Sequence, residues 1–533
     1  METASRGRLA AALGVALAVL PLVPPFVSIL RSPWATSATD DDLAILEIGV
    51  MEAARGAQLL GPYSRFGWSH PGPSSFYALV PAYLAGGRRT AALNVGALVL
   101  NGAAAAALIA VAFRLGGARL GILSLPLVAV LLSFLGPSVV SSFWNPHVTV
   151  VPFALYLLLA AGLSARGASF LPGLVLVGTF LVQTHLGYFP AVAACGAVAA
   201  LSRLRRGPRE MRPAPSVRRP ALLSAGLLAL LWAPSVVEEI RSAPGNLTLI
   251  GRFFLSGGAT HPFGEVFLAV ARPLAAVPLH AVTLLIPSTS DERAVGAGLL
   301  TLLLVALLPL ARSTAVRRVD AACIALSETA LVAVAVAFLA ALKIRGPVHD
   351  YLLLWVTAAG FLGWMVLAHA AVSAWRESGR GVALRRGTGV AAALVLVGLA
   401  TARTAREARQ VPLVRREPMS GVRTLSDAVA RRLHEAPGER ALVVLGSHDV
   451  WAPLGGVLRD LRREGLAVSV EKDWLDMYGR SFAPTGAETR TLVFALGPET
   501  AALRERPGHR LLAEAEGTSI FEGPPPGTWR AEK

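Results

Sequence analysis

Charged residues are scarce in this chain of 533 residues. Only 16% of its positions carry a charge, whereas 54% are hydrophobic and the mean hydropathy is +0.56. An average soluble protein has about 25% charged residues, so this composition excludes an ordinary water-soluble domain. Repeated apolar runs of about 20 residues instead predict a mostly α, polytopic membrane bundle.

Cysteine is rarer still, with Cys195 and Cys323 as its two occurrences. Both fall inside apolar runs, so we interpret them as small core residues rather than as a disulfide or metal ligands. They give no information about the redox compartment. The sequence also has no repeat of about 20 to 50 residues, which excludes a solenoid or propeller.

The chain is basic, with 50 Lys and Arg against 34 Asp and Glu and a net charge of +16. A basic chain can bind nucleic acid. Here, however, the arginines cluster in short segments between apolar runs, as in the cytoplasmic loops of membrane proteins. The sequence therefore predicts no nucleic-acid partner.

Apolar runs and arginines together predict about eleven spans in a transmembrane domain of residues 1–405. Arg6 and Arg8 place the N-terminus in the cytoplasm, and the first run is long enough to be a retained anchor. The most basic loop, 203–219, then falls in the cytoplasm. The runs are 9–30, 91–113, 120–135, 148–163, 170–182, 189–201, 221–236, 295–311, 321–342, 351–370 and 388–402.

One segment, 263–287, has two interpretations. Arg272 and the prolines Pro273, Pro278 and Pro287 favour an amphipathic piece lying on the membrane surface. If the segment crosses instead, the side of every later loop is reversed. With eleven crossings, the loop 31–88 and the C-terminal tail lie on the outer side.

The composition changes to that of a soluble domain at 411–533. Helical patterns at 425–435 and 451–463 alternate with strand patterns at 441–445, 466–470, 491–496 and 519–521. We therefore predict a small extracytoplasmic α/β domain. In it, His448 and Asp449 follow a strand end, while Trp474 and Tyr478 either contact glycan or membrane or fill the core.

The first outer loop begins with three acids, Asp40, Asp41 and Asp42, ahead of a helical pattern. A helix N-cap accounts for one of them. The alternative is that one carboxylate faces a cavity as a general base while its neighbour binds a cation or orients the substrate. Chemistry alone leaves both interpretations open.

Other polar and aromatic residues lie near the predicted outer ends of the membrane spans. A Gly- and Pro-rich strip carries aromatic residues that either pack on sugar rings or form an interfacial belt. His185 lies in the break between two short apolar runs, and its role is either structural or catalytic. A basic cluster of Lys343, Arg345 and His349 either marks the membrane edge or binds a lipid phosphate. Glu328, within an apolar run, is interpreted as a partner between helices or a functional acid.

Two motifs carry a family resemblance: Asp41-Asp42 followed by Ile45-Leu46-Glu47-Ile48, and His70-Pro71-Gly72-Pro73-Ser74-Ser75-Phe76-Tyr77. Together they resemble the first periplasmic loop of GT-C glycosyltransferases, of the aminoarabinose transferase and protein O-mannosyltransferase (family 39-like) type. The chain departs from that pattern in Gly72, and in Asn145, where the family often has an acid. Because Asn is a weaker cation ligand, a requirement for a divalent cation stays open.

The resemblance implies an inverting glycosyltransferase in the cytoplasmic (inner) membrane, in contact with membrane lipids. It would move a sugar from a polyprenyl-phosphate donor to a cell-envelope glycan, lipid or protein acceptor. Asp41 would be catalytic. The substrate-binding candidates are Asp42, Tyr63, Arg65, His70, Asn145, His147, His185, Arg345 and His349.

Two other classes of protein are alternatives to a glycosyltransferase. A non-enzymatic polytopic carrier or lipid flippase predicts internal symmetry or paired charges in mid-membrane, and the sequence shows neither. A sensor or assembly protein would use the tail as its binding module.

Overall fold

The computed structural model describes residues 12–34, 37, 39–205, 217–258, 260–286, 290–377, 386–414 and 420–526. Some residues used above to predict orientation lie outside these ranges, namely Arg6, Arg8 and the part 206–216 of the basic loop. The predicted cytoplasmic N-terminus therefore stays a prediction.

Long apolar helices form the membrane part, since a helix satisfies its own backbone groups where no water is present. Nine helices of the described residues are long and apolar enough to cross a membrane. The mostly α, polytopic fold class predicted from the sequence is confirmed. The nine are Ala12–Leu30, Thr90–Val140, Asn145–Arg166, Leu186–Arg205, Arg218–Arg241, Glu292–Arg317, Ala321–Leu342, Asp350–Trp375 and Gly389–Gln410.

The longest helix, Thr90–Val140, folds back on itself. A straight helix of 51 residues would be about 76 Å long, far more than a hydrocarbon layer of about 30 Å. Asn94 Nδ2 donates to the Ser141 carbonyl oxygen at 2.9 Å, so the two ends lie together. The reversal falls at Gly117, whose φ of 67° is in the left-handed region that favours glycine. The segment is thus two antiparallel spans.

A shorter apolar helix, Ala168–Thr184, lies between two longer spans. At one end, Arg166 donates to the Leu115 carbonyl beside the Gly117 reversal. At the other, Gln183 Nε2 donates to the Leu231 carbonyl at 2.8 Å. Counting this helix and both halves of Thr90–Val140 gives eleven crossings within the described chain, if the bent pair described next does not cross.

The segment predicted to lie on the membrane surface enters the bundle instead. It forms two helices, Phe263–Leu274 and Ala276–Thr283, bent by 54°. The apolar face of the first helix, including Val266 and Val270, is buried. Trp364 Nε1 donates to the Leu274 carbonyl at 2.9 Å, which holds the bend inside the bundle.

The direction of the following span shows that this bent pair returns to the side it came from. The residues just before the bent pair lie beside Leu342, because the Leu342 carbonyl oxygen accepts a hydrogen bond from the His261 N–H. The next span, Glu292–Arg317, finishes at the other end of the bundle, where Arg312 pairs with Glu328 at 2.9 Å. A pair that begins and ends on one side is re-entrant. The contact also places Glu328 between helices, as one of its two interpretations predicted.

The C-terminal part holds a five-stranded sheet in the order Val468–Val470, Ala441–Leu445, Arg490–Leu496, Thr518–Gly523, Arg510–Ala515. The first three strands are parallel and the last two antiparallel to their neighbours. Its helices are Ser420–Glu435, Trp451–Arg463 and Pro498–Glu505. The strand Arg510–Ala515 was not predicted.

The helix Asp41–Ala54, called here the loop helix, lies between this domain and the membrane bundle. Ile45 and Ile48 belong to the hydrophobic core of the C-terminal domain. Leu46 and Val50 pack instead with side chains of the membrane part. The first loop and the tail are therefore on the same side of the bundle.

The helix Trp451–Arg463, called here the docking helix, packs on the loop helix. Gly455 and Gly456 permit the close approach, because a Cβ at Gly456 would lie 2.7 Å from Val422 and 3.2 Å from the Thr39 carbonyl. Three successive contacts fasten the two together. Arg459 donates to Thr39 Oγ1 at 3.0 Å, Arg462 Nε to Glu52 at 2.9 Å, and Arg463 to the fully buried Glu47.

Arg463→Ala should loosen this docking, because it leaves the buried Glu47 without its cation. Removing one partner of a buried pair costs about 3–5 kcal/mol. We expect a lower melting temperature and faster proteolysis of the purified protein in detergent. The matched control is Arg504→Ala, which breaks an exposed pair with Glu514 worth at most about 1 kcal/mol. Equal behaviour of the two variants would contradict the docking role of Arg463.

Candidate active site

A cavity of about 1100 Å³ opens where the first loop, the membrane helices and the C-terminal domain meet. We call it the Asp42 cavity. Its wall includes these predicted site residues: Asp42, Tyr63, Arg65, His70, Asn145, His185 and Arg345. Residues separated by up to 300 positions in sequence thus surround one space. Asp41, His147 and His349 are not among its lining residues.

Asp42 is held by two donors. The Tyr63 hydroxyl donates to one carboxylate oxygen, and Trp144 Nε1 donates to the other at 3.0 Å. Burial raises the pKa of Asp42, while these two hydrogen bonds act in the opposite direction. Burial and the nearby Asp42 charge raise the pKa of Tyr63, so its hydroxyl stays protonated and continues to donate. The result is an oriented carboxylate that is more basic than usual.

Asp41 has a different position. Its Oδ1 accepts from the Leu43 N–H at 2.9 Å, which is a capping contact at the start of the loop helix. Its φ of 52° turns the chain sharply there. Asp42, the next residue, lines the cavity, whereas Asp41 does not. This geometry favours Asp42 over Asp41 as the carboxylate at the site.

A short hairpin places the aromatic strip of the first loop. Tyr63–Ser64 pairs with Trp68–Ser69. The Asn246 side chain makes two hydrogen bonds to the hairpin. Its Oδ1 accepts from the Ser69 N–H at 2.8 Å, and its Nδ2 donates to the Ser69 carbonyl oxygen at 2.8 Å. The Asn246 N–H in turn donates to the buried Glu238, which pairs with Arg480 of the C-terminal domain at 2.8 Å. The sequence analysis missed Asn246 and Glu238, for which no local motif gives a signal.

His70 joins the first loop to the break between two spans. Its Nδ1 accepts from the Leu186 N–H at 3.0 Å, and its ring lies 4.9 Å from that of His185. Burial and the nearby His185 hold the pKa of His70 well below its usual range. His70 is therefore neutral and fixes the shape of the cavity, rather than supplying a positive charge to it.

Positive charge comes from Arg65, Lys343 and Arg345. The Arg345 guanidinium lies 3.9 Å from the centre of the Phe253 ring and donates to Ser256 Oγ at 3.2 Å. Arg65 donates to the Arg345 carbonyl oxygen at 3.3 Å. None of the three cations has a carboxylate partner within the described parts of the chain. Their charges are available to an anion in the cavity.

The two histidines outside the cavity wall lie just behind it. The His147 ring packs edge-on against Trp144 at 4.8 Å, and the His349 ring stacks on Tyr351 at 5.5 Å. Both aromatic partners line the cavity. His147 and His349 support the wall, and a direct contact with substrate stays a prediction.

The residues beside Asp42 offer few free oxygens to a divalent cation. Both Asp42 oxygens accept hydrogen bonds, and Asn145 donates its amide N–H to the Thr184 carbonyl at 3.4 Å, leaving one amide oxygen. Because magnesium is often bound by one or two carboxylates together with waters, a requirement for a divalent cation stays open. Among the described residues, the one group with three potential ligands is Asp320, Cys323 and His369. It lies at the opposite end of Ala321–Leu342, a helix of 22 residues and about 33 Å.

The membrane bundle, the loop helix and the C-terminal sheet together have the same fold as solved glycosyltransferases of the GT-C type, which the resemblance of the sequence motifs predicted. No protein-family model and no curated protein matches the sequence. Among solved structures, ArnT from Cupriavidus metallidurans in the apo state has a TM-score of 0.56 and 14% identity, covering 97% of this chain and 98% of that chain.

The same protein bound to undecaprenyl phosphate gives a TM-score of 0.54 at 14% identity, with 96% of this chain and 97% of that chain covered. A weaker likeness, with a TM-score of 0.41 and 12% identity, extends to the archaeal oligosaccharyltransferase AglB from Archaeoglobus fulgidus in complex with an inhibitory peptide and a dolichol-phosphate. It covers 91% of this chain and 69% of that chain. The ArnT matches show a shared fold over nearly the whole length of both chains.

Proposed function

We propose that this protein is an integral membrane glycosyltransferase of the cytoplasmic membrane. It moves a sugar from a polyprenyl-phosphate-linked donor to a cell-envelope glycan, lipid or protein acceptor on the outer face. The observation that carries the proposal is the Asp42 cavity, in which an oriented carboxylate faces one space together with three cations that have no acidic partner among the described residues.

The cations form the donor side of the proposed site. A lipid phosphate needs fixed positive charge, and the guanidinium fork of Arg345 suits its oxygens. Phe253 and Ser256 orient that fork, and Arg65 and Lys343 add charge nearby. The ArnT structure bound to undecaprenyl phosphate, which has the same fold, supports a phosphate-linked lipid as the carrier.

Asp42 is the proposed general base, in place of the Asp41 assignment that the family resemblance implied. Its carboxylate takes the proton of an acceptor hydroxyl, whose oxygen then bonds to the anomeric carbon of the sugar. The bond from that carbon to the phosphate oxygen breaks, and its electron pair stays on the phosphate. Arg345 and Lys343 stabilise the negative charge that develops there. Attack opposite to the leaving group inverts the anomeric carbon.

The carrier or flippase alternative is less well supported. An alternating-access carrier needs a central site between two repeats that opens to both sides. The lining residues of the Asp42 cavity come from one end of the bundle and from the C-terminal domain. This arrangement favours chemistry at one face.

Asp42→Asn should lower the rate of sugar transfer about 100- to 10,000-fold, because it removes the base and keeps the size of the side chain. Asp41→Asn, which changes a capping residue, should reduce the rate far less. The measurement is consumption of a radiolabelled polyprenyl-phosphate sugar in membranes with matched amounts of each variant. If Asp41→Asn loses activity while Asp42→Asn keeps it, the base is Asp41, as the resemblance implied.

Activity should fall as the pH drops through the raised pKa of Asp42, because protonation removes the base. Tyr63→Phe removes a hydrogen bond that lowers this pKa, so the acidic limb of kcat/KM should move to higher pH. Tyr77→Phe is the matched control, since the Tyr77 hydroxyl donates to the Gln58 carbonyl away from the cavity. Identical acidic limbs in wild type and Tyr63→Phe would rule out Asp42 as the group that titrates.

Arg345→Ala should weaken the binding of undecaprenyl phosphate about 10- to 100-fold, the loss expected for a charged hydrogen bond. Arg345→Lys should bind undecaprenyl phosphate with an intermediate affinity, because it keeps the positive charge but lacks the forked guanidinium group. The control is Arg252→Ala, an exposed arginine on the neighbouring helix Asn246–Leu255. Binding is measured by calorimetry on the purified protein in detergent. Equal affinity in Arg345→Ala and Arg252→Ala would remove Arg345 from the phosphate site.

A further inference from the structure

The wall that the C-terminal domain contributes to the Asp42 cavity differs in chemistry from the membrane side. It consists of His448, Trp451, Asp473, Trp474, Asp476 and Met477. None of these is a lysine or arginine. The cations of the cavity, Arg65, Lys343 and Arg345, thus come from the first loop and the membrane part, whereas the C-terminal domain contributes aromatic and acidic residues.

The aromatic residues of this wall are firmly supported. Trp451 and Trp474 both pack against the core of the C-terminal domain while remaining partly exposed. Tyr478, which is 1% exposed, donates its hydroxyl to the Trp451 carbonyl at 2.8 Å, and its ring centre lies 6.4 Å from that of Trp474. The His448 ring lies 5.2 Å from Trp474 on another side. The two indoles are therefore held in place before any ligand binds.

The acids of the wall have unused hydrogen-bonding capacity. Asp473 and Asp476 flank Trp474 in sequence, and neither makes a hydrogen bond or ion pair within the described residues. Burial raises the pKa of Asp476, while nearby Arg480 acts against this and Glu238 adds to it. Carboxylates accept hydrogen bonds from hydroxyl groups and repel phosphates and other anions.

Indole faces beside free carboxylates match the chemistry of a sugar ring, which has apolar C–H faces and a rim of hydroxyl donors. A peptide acceptor would be expected to add to a strand edge or to lie in a helix-binding groove. Of the two edge strands of the sheet, Val468–Val470 has only three residues, all of them buried, and Arg510–Ala515 contributes no residue to the cavity wall. The wall therefore suits a glycan better than a peptide.

We propose that this wall is the acceptor subsite of the proposed glycosyltransferase, and that it binds an uncharged glycan. The inference rests on the proposed function in that it assigns the glycan the role of acceptor, but binding of a glycan can be measured without any transfer. Trp474 is the main stacking residue, and Asp473 and Asp476 accept hydrogen bonds from ring hydroxyls. Acidic glycans are excluded by these two carboxylates.

The test uses the full-length protein in detergent and fluorescently labelled tetrasaccharides of arabinan, mannan, galactan and glucan. A sulfated heparin tetrasaccharide and an octalysine peptide serve as the charged probes. We expect the protein to bind at least one neutral tetrasaccharide more tightly than either charged probe. Tighter binding of the heparin fragment or octalysine than of every neutral glycan, or no neutral glycan bound, would overturn the inference.

Trp474→Ala should weaken the binding of that tetrasaccharide about tenfold, and Trp474→Phe should restore part of it. Asp473→Asn, a change at an exposed residue that makes no hydrogen bond or ion pair within the described part of the chain, should weaken it without altering the melting temperature. Trp375→Ala, at an exposed tryptophan on the opposite end of the bundle, is the control. Unchanged affinity in both Trp474→Ala and Asp473→Asn would contradict the subsite.

Arg345→Ala separates this inference from the proposed function, because it should lose undecaprenyl phosphate and keep the glycan. If undecaprenyl phosphate binds but no neutral glycan does, the acceptor inference fails alone. If the glycan binds through Trp474 and undecaprenyl phosphate does not bind at all, the glycosyltransferase proposal fails while the glycan site stands.

Discussion

Burial of the loop helix on all sides is the constraint on which the rest of the structure depends. Residues 44–53 are all buried, although a helix in a loop normally has one face in water. Full burial of each isoleucine that enters the soluble core is worth about 1.5–3 kcal/mol. A carboxylate at Glu47 is tolerable there only with a cation beside it, which Arg463 provides. The direction in which Asp42 points follows from this fixed helix.

The charged residues of the cavity come from different parts of the chain because of the same arrangement. The membrane helices bring Lys343 and Arg345, and the docked domain brings Asp473 and Asp476. Asp42 belongs to neither group, since Tyr63 holds it from the first loop and Trp144 from the residues just before the span Asn145–Arg166. Fixed cations in such a cavity attract a negatively charged partner before any specific contact forms.

The sequence predicted the spans and most of the C-terminal domain, because apolar periodicity reports burial directly. It missed the strand Arg510–Ala515, whose outer position leaves charged and apolar residues exposed alike. The motif locates the acidic cluster but does not tell which acid caps the helix, so it could not show that Asp42 lines the cavity while Asp41 accepts from the Leu43 N–H. The hydrogen bonds between Asn246 and Ser69 join residues 177 positions apart, and the Glu47–Arg463 pair joins residues 416 positions apart. No local sequence pattern encodes such contacts.

That separation of 416 positions also sets an order in time. At about 5–20 residues per second, synthesis of the docking helix follows that of the loop helix by roughly 20–80 seconds. Throughout this interval Glu47 has not yet met Arg463 and Glu52 has not yet met Arg462, and the loop helix cannot bury its second face. A ribosome that stops early leaves a chain with its anchors in the bilayer and an unfinished cavity. Completion of the last domain therefore decides when the first loop takes its working shape.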